Sequence, residues 1–443
     1  YSLGQLNFLG KEELTMSRRS YPKGSSQGKQ RKSRRKASEV QLPLCRQELV
    51  ALMQDSLSSF ATEMGLRIAS QLLEDEVARR CGPRYEHRPQ RQWSRHGRQG
   101  GYVTLAGQKL ALAKPRVRRT DGQGEAELET YALLQREEAM PEACLRRMVR
   151  GVSTRDYEQV VDLARQGFGV KKSSVSRGFV KASAAEIKRL AERRLDTDRI
   201  VTVFIDGKEY AGETMVVALG ITEKGAKRIL GLRQGGTENA EVVTSLLEDL
   251  RERGLDVSGP MLFVLDGAKA LHAAVKRTFG KNAIIQRCQV HKVRNVKAHL
   301  ADKHHQQLAM QLSAAYGEKS YERALAGLKT TATWLARLSP AAAASLREGM
   351  EETLTVVKLG LPDLLRRTLA TTNPVESALS VAAKVTARVK RWRDGDMRQR
   401  WCAAGLIRAE EGFRRVRGHK HMPLLVEALE HTHQSIDERK KSA

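Results

Sequence analysis

Between Arg199 and Val290 the chain alternates apolar runs with amphipathic segments in an order that few folds can accommodate. Three runs come first: RIVTVFIDGKEY, TMVVALGIT and AKRILGLRQG, separated by turn residues. They predict an antiparallel meander. An amphipathic helix follows in TENAEVVTSLLEDLRERGL. The next run, PMLFVLDGAKAL, is apolar without interruption, as expected of a strand buried on both faces. A helix through Phe279 and a last strand, NAIIQRCQV, complete the series. A strand reached through a helical crossover runs parallel to its neighbour, so the first and fourth strands can lie side by side in the sheet centre. The expected class is α/β, a mixed sheet flanked by helices.

That order gives two aspartates a common address. Asp206 ends the first strand and Asp266 the fourth, and each precedes a glycine. Both carboxylates project from one edge of the sheet, close enough to share cations. Like charges held that close destabilise one another unless a cation neutralises them. An oxygen-only donor set suits Mg²⁺ or Mn²⁺. Two such ions can activate a water or a 3′-hydroxyl and steady the leaving oxygen in phosphodiester displacement. A single Asp-Gly is an ordinary strand-ending turn; two on strands that the topology brings together favour the metal reading. The third acidic ligand falls best on Glu376 in TTNPVESALS. There Asn373 can cap a helix with Pro374 at its first position, and Glu376 also occupies a capping-box position, so a structural role stands beside the catalytic one. Glu351 and Glu352 are rivals inside an amphipathic helix.

Charge points to a polyanionic partner. Lys and Arg number 78 against 51 Asp and Glu, for a net charge of +27 over 443 residues. Each phosphate that such a surface neutralises releases counterions. The basic residues cluster. Residues 1–39 read as a disordered basic tail; Met16 is its first methionine, which makes residues 1–15 a candidate for upstream reading frame beside the alternative that they are native. From Val40 the pattern turns helical, and YVTLAG with QKLALAKPRV predicts a hairpin around a turn near Gly107. Lys109, Lys114, Arg116, Arg118 and Arg119 flank it as a phosphate-contact surface. Over 150–190, GVSTRDYEQVVDLARQ and KKSSVSRGFVKASAAEIKRL are joined through GFGV and predict a helix-turn-helix whose second helix is capped by Ser173. Ser174, Ser176, Arg177 and Lys181 are then its groove-facing, DNA-binding residues.

No run approaches the ~18 apolar residues of a membrane span, and no signal peptide opens the chain. Cys45, Cys81, Cys144, Cys288 and Cys402 are scattered and odd in number, which suits a reducing cytoplasm over a disulfide framework. Cys288 and His291 form a Cys-x-x-His pair, half of many zinc sites. His299, His304, His305, His419, His421, His431 and His433 offer no second pair, and Cys402 stands alone. A complete zinc site is therefore not expected.

VTVFIDGKEY, LFVLDGAKAL, RCQVHKVRNV and TTNPVESALS, in this order, resemble the core of the bacterial Mutator-type insertion-sequence transposases. The similarity extends upstream through LLEDEVARRCG, KPRVRR, RGVSTRDYEQVV and SSVSRGF, and covers roughly residues 65–415. The resemblance implies an RNase H-like core with an Asp-Asp-Glu triad at Asp206, Asp266 and Glu376, split by an all-helical insertion before the glutamate, and Mg²⁺ as the usual metal. It implies terminal inverted-repeat DNA and target DNA as partners, cleavage to free 3′-hydroxyls, and joining by a homodimer or larger assembly. RCQVHK matches the Cys-or-Asp-x-x-His motif of this superfamily. His291 is accordingly expected to face the catalytic pocket, contacting DNA or ordering the metal site, with Cys288 packed beneath it. The segment SVAAKVTARVKRWRDGDMRQRWCAAGL differs from the Asn/Arg-rich helix of most members; Lys384, Arg388, Lys390 and Arg391 are its candidate DNA contacts.

The expected organisation is a tail over 1–39, a mainly helical DNA-binding region over 40–195, the first part of the core over 196–300, a helical insertion over 301–368, the final core helix over 369–410 and a basic C-terminal tail over 411–443. Two other readings stand against a transposase: a transposase-derived DNA-binding protein without chemistry, and a junction-resolving nuclease of the same fold. The nuclease would not need a helix-turn-helix, a basic tail and a long insertion together.

Overall fold

A computed structural model describes residues 57–86, 91–105, 108–136, 139–154, 157, 167–168, 172–210, 212–235, 240–387, 389, 391–393 and 395–441. Residues 1–39, with the expected tail, lie outside them. Helix α1 (Leu57–Cys81) leads into strands β1 (Trp93–Leu105) and β2 (Gln108–Arg119), which pair antiparallel from Leu105↔Gln108 back to Trp93↔Arg119. The hairpin is longer than its hydrophobic alternation implies, because SRHGRQGG is strand rather than a glycine-broken link. A bulge between Arg95 and Arg98, with Gly97 at φ 76°, lets the glycine-rich segment stay paired. Val103, Leu110 and Val117 from the hairpin are buried with Ala69, Leu73 and Val77 of α1.

Helices α2 (Glu129–Leu134) and α3 (Ala139–Val149) follow, then a two-residue strand β3 (Gly167–Phe168) and helix α4 (Lys172–Glu192). Here the helix-turn-helix expectation is modified. Of its first helix, the structure describes only Tyr157 after Thr154, and the GFGV link contributes β3, which pairs with Lys109 and Leu110 of β2. The expected turn is thus stitched into the hairpin sheet by backbone hydrogen bonds. Ser173 lies inside the first turn of α4 rather than capping it. Val175 and Phe179 are buried with Cys144, Met148 and Tyr157, while Ser176, Arg177 and Lys181 are exposed and Ser174 is half-buried.

The central sheet is built by β4 (Ile200–Tyr210), β5 (Glu213–Thr222), β6 (Lys227–Gly235), helix α5 (Ala240–Glu252), β7 (Met261–Leu265), helix α6 (Lys269–Phe279) and β8 (Ala283–Arg287). Its order is β6-β5-β4-β7-β8, with β4, β7 and β8 mutually parallel and the meander antiparallel. The first and fourth strands are neighbours at its centre, as the crossover argument requires. Alternation separates the two faces. Val203, Ile205, Phe263 and Leu265 pack on one side with Leu246, Leu250 and Phe279; Phe204, Leu262 and Val264 pack on the other.

Past β8 the chain is helical: α7 (Gln289–Lys297), α8 (His305–Gly317), α9 (Tyr321–Leu338), α10 (Pro340–Arg347), α11 (Thr355–Lys358), α12 (Asp363–Leu369), α13 (Asn373–Thr386), α14 (Gly395–Glu411) and α15 (Met422–Lys441). Ser320 caps α9, and Ser339 caps α10 ahead of Pro340. Helices α8 to α10 share a separate apolar cluster that includes Leu308, Leu312, Leu328, Leu335 and Leu346. Residues 411–443, expected as a basic tail, include α15 instead. Met422, Leu425 and Leu429, at helical three- and four-residue spacing, are buried in the same cluster as Phe204 and Leu379, while Glu427 and Glu430 face outward.

Helices α13 and α14 meet backbone to backbone. A Cβ on Gly405 falls 2.6 Å from Ala382 Cα and 2.9 Å from its Cβ, so no side chain fits. Gly405→Ala is expected to destabilise the fold by about 1–3 kcal/mol through overpacking, read as a lower urea midpoint at unchanged slope. Gly259→Ala, where nothing lies within 4 Å, is the control and leaves the midpoint close to wild type.

Candidate active site

The parallel register fixes where the aspartates emerge. Ile205 pairs with Leu265, the last paired residues of β4 against β7, and Asp206 and Asp266 each come next. Their backbones therefore sit side by side on neighbouring strands. Continuing the alternation places both on the face of Phe204 and Val264, the face covered by α13. Asp206 is 6% exposed, and its Oδ1 accepts from Gly207 N at 3.1 Å. Asp266 Oδ1 accepts from Ala268 N at 2.8 Å, an Asx turn that orients it at the mouth of the loop.

Glu376 reaches the same face from α13, whose Val375, Ala378 and Leu379 are buried among the strand residues. Asn373 is the first residue of that helix and Thr372 precedes it, so the cap lies one position earlier than TTNPVE suggests. The capping-box geometry is not formed. Thr372 donates its N–H to Cys288 Sγ at 3.4 Å, and its hydroxyl, not its backbone, meets Glu376 Oε1 at 2.7 Å. The carboxylate is free of the structural duty that its position implied.

Cys288 and His291 join this group from the end of β8 and the first turn of α7. Cys288 N donates to Leu265 O at 2.7 Å and Gln289 N to Ala370 O at 3.0 Å, which ties the Asp266 strand end, α7 and the approach to Thr372 together. Cys288 is wholly buried. His291 Nδ1 lies 3.8 Å from Glu376 Oε1 and 3.3 Å from Thr372 Oγ1. The hydrogen bond with Cys288 raises the His291 imidazole to about 9; burial opposes the rise, and negative charge on Cys288, Asp206 and Glu376 adds to it. Burial alone would push the Cys288 thiol up, but hydrogen bonds from His291 and Thr372 outweigh it and hold it below the ordinary value. His291 thus sits in the field of Asp206 and Glu376 together.

The rival acids are committed elsewhere. Glu352 accepts from Arg287 Nε at 2.6 Å and contacts His272 Nε2 at 2.9 Å, and Glu351 bonds Tyr321. Lys384 and Arg391 are exposed, while Arg388 and Lys390 lie outside the described residues. Two side chains that the motif reading passed over stand at the site: Thr372, legible as the residue before Asn-Pro, and Arg287, hidden as an ordinary strand-end cation.

A basic chain that gathers carboxylates, a histidine and a thiol at the open end of a mixed sheet has the make-up of an enzyme acting on phosphodiesters. The sequence pattern of the transposases of the Mutator family matches residues 39–393, and this chain belongs to that family. It is 30% identical over 322 residues to the transposase for insertion sequence element ISRM5 of Rhizobium meliloti, covering 70% of this chain and 77% of that one. It is 27% identical over 274 residues to the transposase for IS256 in transposon Tn4001 of Staphylococcus aureus, covering 58% and 67%. The transposase for IS6120 of Mycolicibacterium smegmatis is 26% identical over 239 residues, covering 52% and 72%. Among the described residues no helix is long and apolar enough to cross a membrane.

Proposed function

We propose that this chain binds the terminal inverted repeats of an insertion sequence and catalyses metal-dependent cleavage and strand transfer on an RNase H-like core. The observation that carries the reading is the register that sets Asp206 and Asp266 side by side on the face from which α13 presents Glu376. Carboxylates at these three positions would offer a hard, all-oxygen donor set, which fits Mg²⁺ or Mn²⁺. Asp206, Asp266 and Glu376 would hold the ions, which when bound supply Lewis-acid stabilisation of the displaced and attacking oxygens. Thr372 orients Glu376 through its hydroxyl. His291, charged by its neighbours, offers a cation to a DNA phosphate at the edge of the site.

In the same reading α4 is the recognition helix of a helix-turn-helix. Ser176, Arg177 and Lys181 form its outward face with Ser174 at the margin, and the buried Val175 and Phe179 anchor the other side. Lys384 and Arg391, with Arg388 and Lys390 between them in sequence, add backbone contacts beyond the glutamate. The acting species is a homodimer or larger, since two element ends must be cut and joined together, and it works in the bacterial cytoplasm at the nucleoid. The test is Mg²⁺-dependent joining of DNA carrying the element's own ends. Joined product that requires both divalent ion and end sequence is expected. Binding to the ends without nicking or joining would leave a DNA-binding protein without chemistry.

A further inference from the structure

Glu376 shares a sheet face with the aspartates, and a thiol and an imidazole stand beside it. Cys288 Sγ, a His291 ring nitrogen and a Glu376 carboxylate oxygen all lie within 4.8 Å of one another. Thr372 Oγ1 is 3.4 Å from Cys288 Sγ, 3.3 Å from His291 Nδ1 and 2.7 Å from Glu376 Oε1. Together the four atoms mark the corners of a small polyhedron. For tetrahedral zinc with bonds of about 2.0–2.3 Å, neighbouring donors stand roughly 3.3–3.6 Å apart. The His291–Glu376 separation of 3.8 Å and the Thr372 contacts with Cys288 and His291 lie within a few tenths of an ångström of that geometry, and the 4.8 Å bound on the group leaves a closure of little more than an ångström for the ion to draw in.

The surroundings suit a metal-bound thiolate. Cys288 is wholly buried, and the backbone N–H of Thr372 points at its sulfur from 3.4 Å, the outer-shell donor that orients such a ligand. Arg294, exposed, reaches His291 Nε2 at 3.5 Å and can turn into solvent. Thiolate and imidazole donors select borderline-soft cations over Mg²⁺. Read from the sequence alone, Cys-x-x-His lacks its other half. In three dimensions that half is the carboxylate of Glu376 with the Thr372 hydroxyl.

We propose that Cys288, His291 and Glu376 bind one Zn²⁺-class cation, and that its binding withdraws Glu376 from Asp206 and Asp266 and silences strand transfer. The first half stands on the geometry; the second rests on the function proposed above. The cation supplies no chemistry to the reaction here. It competes for a shared ligand.

Two measurements on the full chain decide it. Titration with Cd²⁺, followed by the ultraviolet sulfur-to-metal charge-transfer band, should saturate at one equivalent in wild type and in Asp206→Asn. Cys288→Ser should lose the band, and His291→Ala and Glu376→Gln should weaken binding on the order of 10–100-fold. X-ray absorption of zinc-loaded wild type, which needs no variant, should report one sulfur among nitrogen and oxygen donors. An undiminished band in Cys288→Ser, a band indifferent to both His291→Ala and Glu376→Gln, or a zinc shell without sulfur overturns the site. For the inhibitory half, the ratio of Mg²⁺-dependent joining with and without added Zn²⁺ should fall in wild type and stay near one in Cys288→Ser. Equal inhibition of both overturns that half. A protein that binds Cd²⁺ as described yet never joins DNA sinks the proposed function and leaves the cation site standing.

Discussion

Asp206→Asn is expected to cut Mg²⁺-dependent strand transfer by about a thousandfold or more while leaving binding to the element's ends intact. A carboxylate shared by catalytic cations contributes several kcal/mol of transition-state stabilisation, and each ~1.4 kcal/mol is tenfold in rate. Asparagine keeps the shape and an oxygen for the Gly207 N–H, so the strand end need not move. Added Mg²⁺ should raise the melting temperature of wild type more than that of the variant, since a ligand stabilises only the fold that binds it. Joining at the wild-type rate by Asp206→Asn would remove Asp206 from the site.

The second large effect is expected at Arg287, the last residue of β8 and 10% exposed at its side chain. Its Nε donates to Glu352 at 2.6 Å, and a second nitrogen stands 3.8 Å from Glu348. Another contact, at 3.4 Å, reaches Gly267 O, directly after Asp266. One guanidinium therefore clamps the Asp266 loop to the helical segment that follows the sheet. Gly349, at φ 60°, makes room for it: a Cβ there would fall inside the guanidinium. Arg287→Ala should cost about 2 kcal/mol, below the 3–5 of a fully buried pair because Glu352 is a third exposed. It should also lower joining by about a hundredfold, the usual scale for a reacting group displaced by an ångström. Arg287→Lys should recover part of the stability and less of the activity, because lysine keeps the charge but lacks the fork that holds Glu352 and Gly267 together. If both variants lose stability and activity in equal proportion, the residue is structural only.

The sheet was legible because its strands are apolar on both faces and its turns carry the expected residues. Asp206 and Asp266 followed from order alone, since a crossover helix leaves one simple place for the fourth strand. Thr372 could be read as the residue before Asn-Pro, but its role, like that of Arg287, could not. What matters about them is a partner some 65 to 85 residues away in sequence, and periodicity carries no information about such pairs. The Glu376 position was ambiguous for a related reason. Asn-Pro followed by Glu satisfies helix-start chemistry by itself, and only the placement of Cys288 opposite Thr372 shows that the capping hydrogen bond is not made. The hairpin was underestimated because a bulged, glycine-rich strand lacks alternation, and α15 because its few buried apolar residues, Met422, Leu425 and Leu429, sit among histidines and charged residues in the sequence.

The position of α13 in the chain has a consequence for synthesis. Asp206 and Asp266 leave the ribosome early, with β4 to β8, but Glu376 follows only after the whole of α8 to α12, and Gly405 of α14 must still arrive to seat its helix. Domains fold as they emerge, N-terminal parts first. The nascent chain thus presents the strand ends of Asp206 and Asp266 well before Glu376 is in place. Interrupted or frameshifted products end before the last ligand. Such fragments keep the strands but lack the helices that cover the Phe204 and Val264 face, so each failed round of translation yields an exposed apolar surface rather than a finished site.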